Sequence, residues 1–113
     1  MTETEILQAI RLALSSGPRR LYRNNTGKLA DPTGRWVNFG LAVGSGDLIG
    51  WRMLTVTPAM VGKTIAQFVS LEVKTPKGRM RREQLLWVDV VKAAGGCAGV
   101  AHNVEEAERI LRE

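Results

Sequence analysis

The fold class is best predicted from the stretch Ile65–Lys74, which reads IAQFVSLEVK. Successive side chains of a β-strand point to opposite faces, so Glu72 and Lys74 share one face while Leu71 and Val73 share the other. The β-branched and aromatic residues of this stretch also favour a strand. We therefore predict a strand over residues 65–74 that carries a carboxylate and an ammonium group at its end.

Three helices are predicted around this strand. Residues 4–16 carry apolar side chains at helical spacing. Residues 82–94 form a second predicted helix that ends at Gly95-Gly96 and has one apolar stripe, made of Leu85, Val88, Val91 and Ala94. Asn103 and Glu106 form an N-x-x-E capping box, which predicts the start of a closing helix.

Further strands are predicted where β-forming residues lie between turn signals, at residues 21–23, 35–43, 47–56 and 98–101. Turns are predicted at residues 24–27 and 31–34. The order helix, strands, helix, strand, helix predicts an α/β fold with a mixed central β-sheet flanked by helices. A chain of 113 residues suits one hydrophobic core, so residues 1–113 are predicted to form a single domain.

Composition excludes several classes of protein. With 44% hydrophobic and 24% charged residues, the chain is neither a disordered tail nor a fibre. The single cysteine, Cys97, makes no internal disulfide, which fits a reducing compartment. No apolar run approaches the roughly 18 residues of a membrane span, and Glu3 and Glu5 stand where a signal peptide would be basic. We expect a cytoplasmic protein with no membrane partner.

The charge distribution indicates an anionic partner. The formal net charge is +5, and basic residues cluster in two groups. Such clusters are typical of proteins that bind a polyanion, most commonly nucleic acid. The alternative for the second group is a solvated turn. The first group is Arg19, Arg20, Arg23 and Lys28, and the second is Lys74, Lys77, Arg79, Arg81 and Arg82.

Two acidic positions suggest a metal site. Asp47 follows the break Gly44-Ser45-Gly46 at the start of an apolar strand, and Glu72 with Lys74 ends another. Carboxylate oxygens are the ligands that Mg²⁺ and Mn²⁺ prefer. A lysine beside them can orient or deprotonate an attacking water, or neutralise a phosphate. The alternative is an ordinary Glu–Lys neighbour pair where a strand end reaches solvent.

The chain resembles a known nuclease family. Asp47 with Glu72-Val73-Lys74 is similar to the Asp…Glu-x-Lys signature of the PD-(D/E)XK nucleases. The order and spacing of further motifs resemble the VRR-NUC branch, the virus-type replication-repair nucleases, over most of the chain. These motifs are Arg23-Asn24-Asn25, Phe39-Gly40, Gly44 to Gly50, Gln84 and Gly95-Gly96. The resemblance implies the restriction-endonuclease-like PD-(D/E)XK fold, and the chain is similar to the small stand-alone members found in phages and prophages.

The resemblance also implies roles for the matching residues. Asp47 and Glu72 would bind Mg²⁺ or Mn²⁺, helped by the main-chain carbonyl of Val73, and Lys74 would serve the nucleophilic water. Gln84 is similar to a glutamine of the family's second helix, and its place at the head of an apolar stripe allows either a site role or a cap on the core edge. The residues expected to bind DNA are Arg23, Asn24, Lys77, Arg79, Arg81 and Arg82.

An acidic residue of the first helix usually completes the metal site of this family. Glu3 is the expected residue because it lies one helical turn before Ile6 and Leu7, so it can share their inward stripe. Glu5 belongs to a different face and stays the alternative.

Two positions depart from the family pattern. Gly46 replaces the signature proline before Asp47, and Arg81-Arg82 stands where members often begin the helix with Ser-Pro. The exchange removes a capping side chain, at a cost of about 1 kcal/mol, and adds two cations near the expected DNA track.

The resulting expectation is a metal-dependent DNA endonuclease of DNA repair, found in the cytoplasm of a bacterial host or phage-infected cell. Relatives imply a homodimer that acts on branched DNA such as four-way (Holliday) junctions, and residues 51–56 are a candidate dimer surface. Whether one or two metal ions bind stays open. The alternatives are a non-catalytic DNA-binding accessory domain, a sequence-specific restriction-type endonuclease and an RNA-directed nuclease.

Overall fold

The computed structural model describes residues 1–112 and has a mixed α/β composition. The chain divides into two compact units, of which the first is Met1–Arg52 and the second begins at Met53. The helices are α1 (Glu3–Leu14), α2 (Arg82–Ala93) and α3 (Val104–Arg112), with a short 3-10 turn at Pro58–Met60. The strands are β1 (Arg19–Arg23), β2 (Gly27–Ala30), β3 (Trp36–Phe39), β4 (Leu48–Arg52), β5 (Val69–Val73) and β6 (Cys97–Ala101).

The first unit contains one helix and two antiparallel strand pairs. Thr2 caps α1, because its hydroxyl accepts a hydrogen bond from the Glu5 main-chain nitrogen at 3.1 Å while the Glu5 carboxylate accepts one from the Thr2 nitrogen at 2.7 Å. Strand β1 pairs with β4, and β2 pairs with β3 to form a hairpin. The hairpin closes through the predicted turn at residues 31–34, where the Gly34 nitrogen donates to the Asp31 carbonyl at 2.9 Å.

The second unit is a β-α-β element followed by a helix. Strands β5 and β6 are parallel, in register from Val69 opposite Cys97 to Val73 opposite Ala101, and α2 connects them. Val91 of α2 is 1% exposed and packs among the small residues of β6. Gly99 brings α3 close to β6, because a Cβ atom there would lie 2.8 Å from Cδ1 of Ile110.

The helices are close to their predicted positions. The structure bounds α1 at residues 3–14 and α2 at residues 82–93. The Asn103 side chain accepts a hydrogen bond from the Glu106 main-chain nitrogen at 2.8 Å, which confirms one half of the predicted capping box of α3. The Glu106 carboxylate, expected to complete the box, contacts His102 instead. The predicted stripe of α2 is partly wrong. Leu85 is exposed, and the half-buried Gln84 and Trp87 lie with Val91 on the inner side.

The strands differ from their predicted bounds because each extends only as far as its partner. The strand predicted at 65–74 begins at Val69, opposite Cys97, which follows the Gly95-Gly96 helix end. The strand predicted at 47–56 ends at Arg52, whose partner Arg19 directly follows Pro18. The residue pattern of one strand does not show how long its partner strand is, so the sequence could not predict these ends.

The hairpin was the least well predicted part of the fold. The predicted strand at 35–43 spans only residues 36–39, since Gly40 adopts a positive φ of 79° that ends the strand. Strand β2 was not predicted, because Gly27 was assigned to a turn. The Phe39 ring explains why residue 27 is a glycine. A Cβ atom at position 27 would lie 3.0 Å from ring carbon Cε1 of Phe39.

The α/β class is confirmed in its coarse form. Among residues 1–112 the strands are hydrogen-bonded as three two-stranded sheets, two antiparallel and one parallel. The union of these strands in one mixed central sheet, and the union of both units in one domain, stay predictions. In the part of the chain that the structure describes, no helix has the length and apolar character needed to cross a membrane.

Candidate functional site

Glu72 lies near the end of β5 and is held by two neighbouring side chains. The Gln84 side-chain nitrogen Nε2 donates a hydrogen bond to Glu72 Oε1 at 2.8 Å. The Lys74 ammonium nitrogen lies 3.5 Å from the same oxygen. Because both contacts use Oε1, they fix the orientation of the carboxylate and leave Oε2 as the oxygen through which it can bind a ligand.

Gln84 reaches Glu72 because helix α2 packs on this face of β5. The indole nitrogen of Trp87, one turn further along α2, donates to the Ser70 hydroxyl at 2.7 Å. Ser70 and Glu72 therefore share the face that α2 covers, which confirms the predicted alternation of the strand. Gln84 and Trp87 are spaced i, i+3 and lie on one side of the helix.

The Gln84 amide is fixed at both of its ends. Its oxygen Oε1 accepts a hydrogen bond from the Arg81 main-chain nitrogen at 2.9 Å, while its nitrogen binds Glu72. The first contact satisfies one of the free amide groups at the start of α2, where Arg81 supplies no capping acceptor. The amide therefore replaces part of the cap that Ser-Pro would provide and at the same time orients the carboxylate.

The ion pair of Glu72 and Lys74 is only partly exposed to solvent. The exposed fraction is 34% for the Glu72 side chain and 21% for Lys74. The Lys74 main-chain nitrogen donates to the Ala101 carbonyl at 3.1 Å, which fixes the backbone just after Val73, the last residue of β5. The pair thus lies at the carboxyl end of a parallel sheet, an edge where α/β proteins commonly bind ligands.

The predicted DNA-binding residues of the second unit lie between this edge and α2. Lys77 is in the turn that follows Lys74, where the Gly78 nitrogen donates to the Thr75 carbonyl at 2.8 Å. Arg79 follows the turn, Arg81 is the N-cap residue and Arg82 is the first residue of α2. All four basic side chains, those of Lys77, Arg79, Arg81 and Arg82, are exposed.

In the first unit, Glu3 and Asp47 line the same open pocket. This pocket has a volume of about 290 Å³, and its other lining residues are Ile6, Leu7, Ile10 and Leu48. Asp47 directly precedes β4, as predicted, and Glu3 is the first residue of α1. Glu5 is bound in the capping box with Thr2. The geometry therefore favours Glu3 over Glu5 as the helix carboxylate beside Asp47.

Asn24 holds the loop that carries Asp47. Its Nδ2 donates to the Ser45 hydroxyl at 2.7 Å and to the Gly46 carbonyl at 2.9 Å, and its Oδ1 accepts from the Leu41 nitrogen at 3.1 Å. The Asn24 main-chain nitrogen donates to the Asp47 carbonyl at 2.8 Å. These contacts give Asn24 a positioning role that the sequence analysis missed, and its predicted DNA contact stays a prediction.

Arg23 lies at the end of β1, opposite Leu48 in the strand register. Its Nε donates to the Asn25 side-chain oxygen at 2.7 Å, and its side chain is exposed. The guanidinium is therefore partly fixed, with further N–H groups directed at solvent, and its predicted contact with DNA stays a prediction.

The available donors fit a hard divalent cation. They are the carboxylates of Glu3, Asp47 and Glu72 and the main-chain carbonyl of Val73, all of them oxygen ligands. Within each unit taken by itself, the described residues gather no three His, Cys, Asp or Glu side chains that could hold a metal ion.

Comparison with known proteins identifies the family of the chain. The family model described as the VRR-NUC domain matches residues 3–105, a range that includes Glu3, Asp47, Glu72, Lys74 and Gln84. No curated protein and no solved structure is significantly similar to the chain. Since the family match covers far more than half of the sequence, the chain belongs to the VRR-NUC domain family and is a nuclease-type domain.

Proposed function

We propose that the protein is a metal-dependent endonuclease that hydrolyses DNA phosphodiester bonds. The observation that carries this proposal is the Glu72 carboxylate, which is oriented by Gln84 at 2.8 Å and paired with Lys74 at 3.5 Å. An ordinary solvated Glu–Lys pair would not require a second, helix-anchored donor on the carboxylate. The arrangement instead suits a carboxylate that binds a ligand through its other oxygen.

We propose that Asp47 and Glu3 of the first unit join Glu72 and the Val73 carbonyl of the second around Mg²⁺ or Mn²⁺. The strands of both units would then belong to the mixed central sheet of the PD-(D/E)XK fold. The pocket in the first unit supports this proposal, since both Glu3 and Asp47 line it. When bound, the metal ion lowers the pKa of a water and polarises the phosphate.

The protein's own residues have separable roles in this proposal. Lys74 orients the attacking water or stabilises negative charge that develops on the phosphate. Gln84 keeps Glu72 in its ligand-binding orientation, and Asn24 keeps the Asp47 loop in place. The exposed cations of residues 77–82 bind the phosphate backbone, so affinity should fall steeply with salt and depend little on base sequence.

Branched DNA and a homodimer are the finer part of the proposal. Two active sites related by a two-fold axis can nick two symmetric strands of a four-way junction. Leu54 and Val56 are exposed and belong to the apolar stretch that is a candidate dimer surface. Because β4 ends at Arg52, residues 53–56 are not used in a strand pair.

One cleavage experiment tests the proposed function. Purified protein is incubated with end-labelled linear, flap and four-way DNA in Mg²⁺, in Mn²⁺ or in EDTA, and the products are separated on a denaturing gel. The proposal expects cleavage with either metal ion, none in EDTA, and most product from the four-way substrate. Sedimentation of the protein with and without this substrate measures the dimer.

Different gel patterns overturn different parts of the proposal. Equal cleavage in EDTA contradicts metal dependence. A defined cut in linear duplex with no gain from a junction favours a restriction-type enzyme. DNA binding without cleavage under any metal condition favours the accessory domain.

A further inference from the structure

His102 and Glu106 form a fixed pair that the nuclease site as described does not include. The imidazole Nδ1 of His102 lies 3.0 Å from Oε1 and 3.1 Å from Oε2 of Glu106. The hydrogen bond from His102 holds the pKa of Glu106 below its ordinary range, so the carboxylate is ionised. An ionised carboxylate at Nδ1 sets the orientation of the imidazole ring.

The opposite nitrogen of the ring is available. Within residues 1–112, Nε2 of His102 makes no hydrogen bond, and the His102 side chain is 33% exposed. The Glu106 side chain is 31% exposed. This is the geometry of a histidine whose Nδ1 is anchored by a carboxylate so that Nε2 can bind a ligand.

The pair lies at the same sheet edge as Lys74. Strands β5 and β6 are parallel, with Val73 opposite Ala101, and the Lys74 nitrogen donates to the Ala101 carbonyl at 3.1 Å. His102 is the residue directly after Ala101. His102 therefore occupies the position after β6 that Lys74 occupies after the parallel strand β5.

The need to cap α3 does not explain why the His102 ring contacts Glu106. Asn103 supplies the capping oxygen, which accepts from the Glu106 main-chain nitrogen at 2.8 Å. The carboxylate of Glu106 is turned to His102, and Arg109 of α3 adds a favourable charge near it. A surface pair of this kind contributes little to folding stability.

We propose that His102, positioned by Glu106, binds a phosphate of the DNA backbone through Nε2 beside Lys74. This inference rests on the proposed function, since it requires DNA at the β5–β6 edge. It adds a phosphate-binding residue, located between β6 and α3, to the basic residues between β5 and α2. Nε2 donates one hydrogen bond to the anionic phosphate, which is charge-assisted by the phosphate, and no covalent step is involved.

A nuclear magnetic resonance experiment tests the contact directly, because His102 is the only histidine of the chain. Protein with ¹⁵N-labelled histidine is titrated in EDTA with a four-way DNA that it binds but does not cleave. The expected result is a large change in the Nε2 chemical shift and a small one at Nδ1. Unchanged imidazole signals on a protein that binds this DNA overturn the inference and leave the proposed function intact.

Substitutions on α3 give a second readout with a matched control. Glu106→Gln and Glu105→Gln each remove one negative charge from the first turn of α3, but only Glu106 contacts His102. Long-range electrostatics alone would strengthen DNA binding equally in both. The inference expects Glu106→Gln to weaken binding several-fold and Glu105→Gln to leave it unchanged or tighter. Equal effects of the two variants overturn it.

His102→Ala completes the test. Loss of one charge-assisted hydrogen bond should weaken binding about tenfold. Circular dichroism checks that the variant folds. If the unchanged protein neither binds nor cleaves DNA, both the inference and the proposed function fail. If it binds and cleaves but His102→Ala does so equally well, only the inference fails.

Discussion

Gln84 donates a hydrogen bond to the Glu72 carboxylate at 2.8 Å while its own oxygen accepts one from the Arg81 main-chain nitrogen at 2.9 Å. A single amide thus joins the first turn of a helix to a carboxylate on the adjacent strand. The two contacts use opposite ends of the amide, so neither can change without disturbing the other. The orientation of Glu72 therefore depends on the start of α2.

Removal of this amide should impair cleavage more than folding. We expect Gln84→Ala to lower the cleavage rate about 10- to 100-fold, the usual effect of losing a partner that orients a metal ligand. Gel assays at several Mg²⁺ concentrations measure the rate, and higher metal concentration should restore part of it. Gln67→Ala is the control, because the Gln67 amide binds the Gly95 carbonyl at 3.0 Å and does not contact Glu72. Equal losses in both variants would contradict a specific role for Gln84.

Substitution of Lys74 distinguishes an enzyme from a non-catalytic accessory domain. We expect Lys74→Ala to abolish detectable cleavage while DNA affinity in EDTA falls only a few-fold, because the other basic residues still bind the backbone. Lys92→Ala removes an exposed lysine from the last turn of α2 and should cleave normally. Fluorescence anisotropy measures affinity, and the gel assay measures cleavage. Undiminished cleavage by Lys74→Ala would remove this lysine from the chemistry.

Loss of the Asn24 side chain should reduce both the stability of the first unit and the cleavage activity. Its side chain makes three hydrogen bonds to the loop before β4, at 2.7, 2.9 and 3.1 Å. We expect Asn24→Ala to reduce the free energy of unfolding by about 1–2 kcal/mol and to reduce cleavage further, because Asp47 loses its fixed loop. Asn38→Ala on the exposed face of β3 is the control. Urea unfolding and the gel assay measure the two effects, and a variant with full stability and reduced DNA affinity would instead support a direct DNA contact.

Asp31 should give the hairpin an acid-dependent stability. The Thr33 hydroxyl, followed by the Arg35 and Thr33 main-chain nitrogens, donates hydrogen bonds that hold the pKa of Asp31 below its ordinary value. Because the folded pKa is depressed, this stability is present above the unfolded value and is lost as pH falls through the folded value. Carboxyl ¹³C signals measured against pH test this directly.

The matched variant for Asp31 is Thr33→Val, which removes the strongest donor. We expect it to move the Asp31 titration back towards ordinary aspartate behaviour. A titration of Asp31 in the ordinary range in the unchanged protein would contradict the hydrogen-bonded turn.

Local patterns predicted the second unit well. The alternation of Ser70, Glu72 and Lys74 follows from strand geometry alone, and the contacts from Trp87 to Ser70 and from Gln84 to Glu72 agree with it. The end of α2 follows from the two glycines after it. Strand lengths could not be predicted in this way, because they depend on partners distant in sequence.

Long-range polar contacts explain the residues that were missed. Asn24 binds Ser45, 21 residues away, and no local pattern distinguishes such an asparagine from one in an ordinary turn. Two other signals were present in the sequence but were not used. Thr2 and Glu5 form a T-x-x-E capping box, which assigns Glu5 to the helix cap. His102 and Glu106 are spaced i, i+4, the spacing at which two side chains meet on a helix.

The most direct test of the proposed metal site is a crystal soaked in Mn²⁺ and measured at the manganese absorption edge. The proposal predicts an anomalous peak in direct contact with the carboxylates of Asp47 and Glu72, with Lys74 beside it and Gln84 still bound to Glu72. A map in which Asp47 lies far from Glu72, with no peak between them, would contradict the metal-dependent nuclease site.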